Sequence, residues 1–570
     1  MQQQTVSKTE IRVIKQLLEA IIFEKLLPFE VKQEKTKTVI TIYGTNIRIQ
    51  SEGTCSSFGR IRLNESTIDI RDNQGHQISE PLREIVLQLT TSRKLQDCLL
   101  EELNQTILLG EWNEENIEQS CRRGLSYEEL ESAIMEGHPY HPCFKARTGF
   151  TTSDHEMYGP EAFQSFQLWW VAINRDYVKV SLPKPEETFF QDELGVLTYS
   201  LLLDRLTMAG GTIKDYALLP VHPWQWKNKL QHEIKCLSQD NIIPLGYAGD
   251  FYRATQSVRT LWNETHPDKA HIKLPLNMVN TSSLRVIESH SVCTAPTLST
   301  WLGNLIESDS YLMESLNILP EYAGMVAMED NPNLSGHLAA IWRKSPTSFV
   351  KGMERAVPMN AMSLMEQDGK PFIKPWLDRY GMKKWVEQFI KVTVVPVWHL
   401  LVSEGVAVEA HAQNMIFVHE EGWPKKVILR DFHESLEYVD NFLKQPDLAP
   451  NFSELNPCYK EAFNDEYYWM SSIEGLRELI MDTLFVFHLS ELSFLLNQHM
   501  NFPEEDFWKE VREAIQTHFL LHPPLKERNK LLGAEKEKVF TESLFTRKIG
   551  MDKREYRHSV PNSLFEGEKK

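Results

Sequence analysis

The 570 residues carry a formal net charge of −18, with 42% hydrophobic and 25% charged side chains. That balance belongs to a folded globular protein of about three domains, not to a disordered or fibrous chain. An acidic surface repels phosphate backbones and anionic lipid, so neither nucleic acid nor a membrane is expected as a partner, while a local basic pocket for a small anion remains compatible with it.

The start, MQQQTVSKTE, lacks a basic segment followed by an apolar core. No uninterrupted apolar run reaches the roughly 18 residues of a membrane span, so a cytoplasmic location is expected. Cysteines at 55, 98, 121, 143, 236, 293 and 458 are odd in number and form no CxxC, which predicts free thiols, not a disulfide framework or a zinc ribbon.

In chain order, Ile11, Ile14, Leu17, Leu18, Ile21 and Ile22 repeat at helical spacing, and alternating strands follow in VITIYGTNIRIQ and around GRIRLNESTIDI. Ser126 with Glu129 forms a capping box opening SYEELESAIMEG, a helix expected to run to Gly137. The loop HPYHPCFKARTGF then sets two prolines beside His138 and His141, with Lys145 and Arg147 just beyond, a rigid frame able to clamp an anion. It also reads as a plain structural turn. Zinc on the two histidines is disfavoured, because the prolines preclude a ligand-bearing helix.

The Pro-rich SLPKPEET predicts a surface loop or flexible connection, and PVHPWQW, with Trp224 and Trp226 around His222, predicts core packing. Strand patterns surround FYRATQSVRTLW and HIKLPLNMVN. Ser257 and Arg259, two apart, would share a strand face near Lys273, and a guanidinium, an ammonium and a hydroxyl suit phosphate oxygens; a solvated strand face is the competing reading. Thr281 and Arg285 lie four apart in NTSSLRVI, on one side if a helix starts there, where free N–H groups favour a carboxylate.

The last third predicts helices interrupted by a hairpin, MIFV and KVILRDF flanking HEEGWP. EAHAQN precedes this hairpin and Arg430-Asp431-Phe432-His433-Glu434 follows it. An amide before a hairpin and an acid after it is how kinase-like sites bring Asn and Asp onto one Mg²⁺, so Asn414 and Asp431 are metal candidates. The run from KEKVFTESLFTRKIG to VPNSLFEGEKK predicts a helix and a tail.

GHPYHPCFKARTGF, LPVHPWQW, the SVRT, KLPLN and TSSLR series, EAHAQN and LRDFHE, in this order between residues 137 and 434, resemble the aerobactin-synthetase-like (IucA/IucC) family. These are siderophore synthetases independent of non-ribosomal peptide synthetases. The resemblance implies an α+β, hand-like architecture: a thumb over 1–165, fingers over 166–368 and a palm over 369–570, distantly kinase-like, with ATP between fingers and palm. It implies ATP and Mg²⁺ as cofactors, citrate or a citrate derivative and an amine as substrates, and a homodimer.

By motif matching, His138 or His141, Lys145, Arg147, Ser257, Arg259, Lys273, Gln413, Asn414 and Asp431 would attend ATP, with Asn414 and Asp431 holding Mg²⁺. Thr281, Arg285 and His411 would hold citrate, and His411, Arg285 and Lys273 would be catalytic. The implied reaction adenylates a carboxylate and passes it to an amine or hydroxylamine, releasing AMP and pyrophosphate. Thr281 and Arg285 together favour free citrate over a citryl monoamide. A small-molecule kinase would use the same Asn414 and Asp431 but move the γ-phosphoryl group, and a non-catalytic citrate or siderophore binder would leave the nucleotide-type residues without a purpose. No HRD-like loop or Gly-rich phosphate loop supports a protein kinase.

Overall fold

The computed structural model describes residues 7–34, 37–118, 120–235, 241–550 and 556–566. The expected first helix spans Lys8–Phe23, with the Ser7 side chain accepting the Glu10 N–H at 3.0 Å. Its apolar side packs on an antiparallel meander of Phe29–Glu34, Lys37–Tyr43, Ile47–Cys55 and Ile61–Leu63, with Asp69–Asp72 paired to the third strand. A long helix, Arg93–Asn116, crosses the first one where Gly110 meets Thr9; a Cβ there would stand 2.4 Å from a Thr9 methyl, so only glycine permits the approach.

The Ser126–Glu129 capping box forms, with Ser126 N–H donating to Glu129 at 2.8 Å and Glu129 N–H to Ser126 Oγ at 3.2 Å. The helix covers Tyr127–Ala133 and ends before the expected Gly137, because Ile134 is already extended. It carries Glu131, which is fully buried and accepts from Arg430 at 2.8 Å. Ser126→Ala is expected to lower stability by about 1 kcal/mol, read as a shift of the urea midpoint.

The middle of the chain builds one eight-stranded antiparallel sheet. Its spatial order is Val178–Ser181, Glu321–Ala327, Ala339–Arg343, His271–Lys273, Thr260–Asn263, Ile242–Ala254, Phe166–Asn174 and Tyr216–Val221. Trp170, Phe189, Phe190 and Trp342 fill its core, and the helix Ser289–Ser308 packs against Glu321–Ala327. Trp224, Trp226 and His222 are buried, as expected for packing. The Pro-rich stretch is a short loop between Val178–Ser181 and the helix Glu186–Leu194.

The predicted hairpin forms from Met415–Glu420 and Trp423–Leu429, joined by Glu421 and Gly422, both at positive φ. It belongs to a four-stranded sheet with Glu354–Pro358 on one side and, in parallel, Leu316–Ile318 on the other. Leu319 N–H still bonds to Leu429 O at 2.8 Å before the chain enters the larger sheet at Glu321. Residues 316–327 thereby stitch the two sheets together, and Glu321 stands at the crossing.

Two helical stretches, Met382–Glu404 and Ile473–Met500, are apolar enough to cross a membrane, yet 83% and 78% of their most apolar windows are buried inside the protein, as core helices are. One apolar core joins residues of segment 13–146 to segment 298–564, apart from the core of the larger sheet. The C-terminal run departs from expectation: Lys538–Glu542 and Arg557–Pro561 pair as strands around a short helix, Leu544–Ile549, because Val539 and Val560 face the core. Six cysteines are free thiols; Cys236 lies outside the described residues.

Candidate active site

A cleft of about 1270 Å³ is lined by the 138–147 loop, the turn before Thr260, the strand end at Lys273, residues 280–285, 409–414 and 431–435, and the helix after Ser472. Every site residue expected from the sequence borders it: His138, His141, Lys145, Arg147, Ser257, Arg259, Lys273, Thr281, Arg285, His411, Gln413, Asn414 and Asp431.

Two local expectations are corrected. Ser257 and Arg259 do not share a strand face: the strand ends at Ala254, Val258 takes a positive φ of 65°, and the chain reverses so that Leu261 pairs with Ala254. Ser257 Oγ accepts the Thr260 N–H at 3.1 Å, and Arg259 donates to Val286 O, so both flank the tip of a tight turn. Likewise no helix begins at Thr281. Val279–Asn280 and Ser283–Leu284 form a small hairpin, with Thr281 in the left-handed region at φ 62°.

The wall formed by the 138–147 loop is cationic. Lys145 and Arg147 both pair with Glu161, all three buried, so one carboxylate faces two positive groups. Burial pushes Lys145 down to about 8 against the pull of Glu161. A buried net positive charge of this kind favours an anion. His138 Nδ1 accepts the N–H groups of Tyr140 and His141 at 3.1 and 3.0 Å, which makes Nε2 the donor of a neutral ring, and burial holds this imidazole down to about 3. His141 Nδ1 accepts from Cys143 N–H at 3.1 Å, and its buried Nε2 has no partner among the described residues.

Opposite lies Asp431, at a positive φ of 65°, accepting from Arg343 at 2.8 Å and from Lys273 at 3.3 Å. Burial alone would raise its carboxyl, but Lys273, Arg343 and Arg430 hold it well below the usual range. Burial in turn lowers Lys273. His433 approaches Lys273 at 3.2 Å and Glu321 at 2.7 Å. Asn414 donates to Glu409 O at 3.1 Å, leaving its Oδ1 as the atom to face a cation. Asp431 and Asn414 thus offer the hard oxygen donors that suit Mg²⁺.

Arg285 donates to Asn280 O at 2.6 Å, has a buried Nε with no partner, and makes no ion pair among the described residues. Burial, then the nearby Arg259, push it down to about 9. A guanidinium so placed is complementary to a carboxylate the protein does not supply. His411 caps the turn Ala412–Asn414 through Nδ1, accepting Gln413 N–H at 3.2 Å, with Nε2 3.7 Å from Glu409. Lys548 of the C-terminal helix donates to Thr281 O at 3.0 Å and so braces the Thr281 turn.

Sequence reasoning missed Glu321, Arg343 and any role for His433. Glu321 and Arg343 are lone charges at strand ends beside apolar runs, EYAGMVA and AAIWR, the one signal available before the fold paired them directly across the sheet.

The IucA / IucC family model matches residues 126–364, and a model described as ferric iron reductase FhuF-like transporter matches 383–555. A Bacillus anthracis protein, citryl-spermidine/3,4-dihydroxybenzoyl-citryl-spermidine:spermidine ligase, is 33% identical over 97% of this chain and 93% of its own. Aerobactin synthase of Escherichia coli is 28% identical over 72% of each. The crystal structure of the petrobactin biosynthesis protein AsbB from Bacillus anthracis superposes with a TM-score of 0.91 at 33% identity, covering 98% of this chain and 95% of that one. Aerobactin synthetase IucC from Klebsiella pneumoniae superposes at 0.84 with 23% identity over 98% of each chain, a likeness of fold.

Proposed function

The chain belongs to the IucA/IucC family of siderophore synthetases, and we propose that it activates a carboxylate of a citrate derivative with ATP and joins it to an amine. The observation that carries this reading is one cleft in which the cationic groups Arg259 and Lys273 adjoin an ion-pair-free Arg285 whose Nε is buried. The first pair suits phosphates and the last a carboxylate.

In the first step a carboxylate oxygen attacks the α-phosphorus of ATP, an acyl–O–P bond forms, and the bond to pyrophosphate breaks. Two anions must meet for this. Arg259 and Lys273, both buried and held in place, lower the cost by neutralising charge on the phosphates. Mg²⁺, when bound, adds charge neutralisation and orients the phosphates; Asp431 and Asn414 are the residues to hold it. Arg285, with Thr281 and His411, fixes the acid so that one carboxylate faces the nucleotide. In the second step the amine nitrogen attacks the acyl carbon, an amide forms and AMP leaves.

The likeness to a ligase named for citryl-spermidine supports a citryl monoamide as the acid and a polyamine as the nucleophile, which reverses the preference for free citrate read from Thr281 and Arg285. A cytoplasmic homodimer is the setting this reading expects. Incubation with a citryl monoamide, spermidine, Mg²⁺ and ATP should yield AMP and pyrophosphate in step with the amide. Nucleotide chromatography checks this, and ADP with orthophosphate would replace the synthetase by a phosphotransferase.

A further inference from the structure

His433 sits 2% exposed between two partners of opposite kind. Glu321, itself 1% exposed, lies 2.7 Å from Nδ1, and a carboxylate can only accept there, so Nδ1 carries the proton. Nε2 is then a bare lone pair, and it accepts from the Lys273 ammonium at 3.2 Å. The same ammonium lies 3.3 Å from Asp431 Oδ1. Ligand atoms of Glu321, Asp431 and His433 all fall within 4.8 Å of one another. A carboxylate behind a histidine whose other nitrogen points at a cation is the arrangement that orients imidazole ligands in metal sites.

We propose that Asp431 and His433, with Glu321 behind, form a divalent-cation site of mixed oxygen and nitrogen character, which the Lys273 ammonium fills while the cleft lacks nucleotide. The site is distinct in chemistry from the all-oxygen pair Asn414 and Asp431, because an imidazole nitrogen suits first-row transition ions, for which Mn²⁺ is the spectroscopic probe, better than it suits Mg²⁺. Charge explains the exchange. Glu321, Asp431, Lys273 and Arg343 sum to zero as they stand; replacing the ammonium by a divalent ion leaves one surplus positive charge, which an arriving triphosphate neutralises. Lys273, released, turns to the phosphates. Nucleotide and cation would therefore enter together. The exchange rests on ATP occupying the cleft, as proposed above, whereas the metal site does not.

The test uses the full chain and Mn²⁺ alone, read by loss of the free-ion electron paramagnetic resonance signal. Lys273→Met, which removes the ammonium and keeps the bulk, should bind one Mn²⁺ at least about tenfold tighter than wild type without nucleotide, and Mg²⁺ should compete poorly. Adding His433→Gln to that variant should abolish the gain. Should Lys273→Met not fold, wild type with a non-hydrolysable ATP analogue serves instead: ¹⁵N-histidine labelling should change the Mn²⁺ electron spin echo modulation, and His433→Gln should erase that change. Unaltered Mn²⁺ affinity in folded Lys273→Met, or nitrogen coupling indifferent to His433→Gln, overturns the proposal. Failure to form AMP would overturn the synthetase reading while leaving nucleotide-free Mn²⁺ binding as it is.

Discussion

Lys273→Ala is expected to lower turnover by about a hundredfold or more, the scale of losing one preorganised charge contact to a transition state. Asp431→Asn should do the same by a different route. Lys273 is 7% exposed and reaches into the cleft from a strand that pairs with Thr260 and Ile341, so the backbone holds the ammonium and solvent cannot replace it. After Lys273→Ala, Asp431 keeps Arg343 at 2.8 Å, and the fold should survive with an unchanged circular dichroism spectrum. After Asp431→Asn, Lys273 and Arg343 face a neutral amide, and a lower melting temperature should accompany the lost activity. Steady-state rates at saturating ATP decide the matter; wild-type turnover in both folded variants would remove this corner from the reaction.

The sequence made the cleft legible where a motif is local. The 138–147 loop, EAHAQN and LRDFHE each keep their function-bearing groups within a few residues, and all border one cavity. Backbone geometry at Val258 and Thr281 was hidden, since neither residue type favours positive φ; strand and helix patterns therefore ran through two turns. Both are imposed by neighbours, Val258 by the reversal into Thr260–Asn263 and Thr281 by its small hairpin. Long-range pairing was equally invisible. Glu321 meets His433 across 112 positions and Arg343 meets Asp431 across 88, so no window along the chain contains either pair. At 538–561 the expected helix forms over Leu544–Ile549, and the strand pair around it was hidden for the same reason, because Val539 and Val560 pair only once the chain returns on itself.

Arg285→Ala should chiefly impair use of the carboxylic acid, lowering kcat/KM for it by about a hundredfold, since truncating a half-buried guanidinium that pairs with a charged ligand in a closed complex costs roughly 2–5 kcal/mol. The KM for ATP should change far less. The choice of acid follows from counting charges in the pocket. Free citrate, once one carboxylate faces the nucleotide, leaves two more to be held; a citryl monoamide leaves one. Arg259 already has Glu434 at 3.9 Å, Lys145 and Arg147 share Glu161, and Arg547 pairs with Glu542 at 2.6 Å. Arg285 has no carboxylate partner among the described residues, and Arg12, the other cleft guanidinium outside an ion pair, is held by Glu136 O and over the Phe144 ring at 4.1 Å, so one spare carboxylate matches Arg285. Kinetics with citrate and with a citryl monoamide, on wild type and Arg285→Ala, test both points together. Wild type should prefer the monoamide, and Arg285→Ala should lose most of its activity on that acid. A wild-type preference for citrate would restore the free acid as substrate and require a second cation for its extra carboxylate, while unchanged kinetics in Arg285→Ala on both acids would place the carboxylate elsewhere in the cleft.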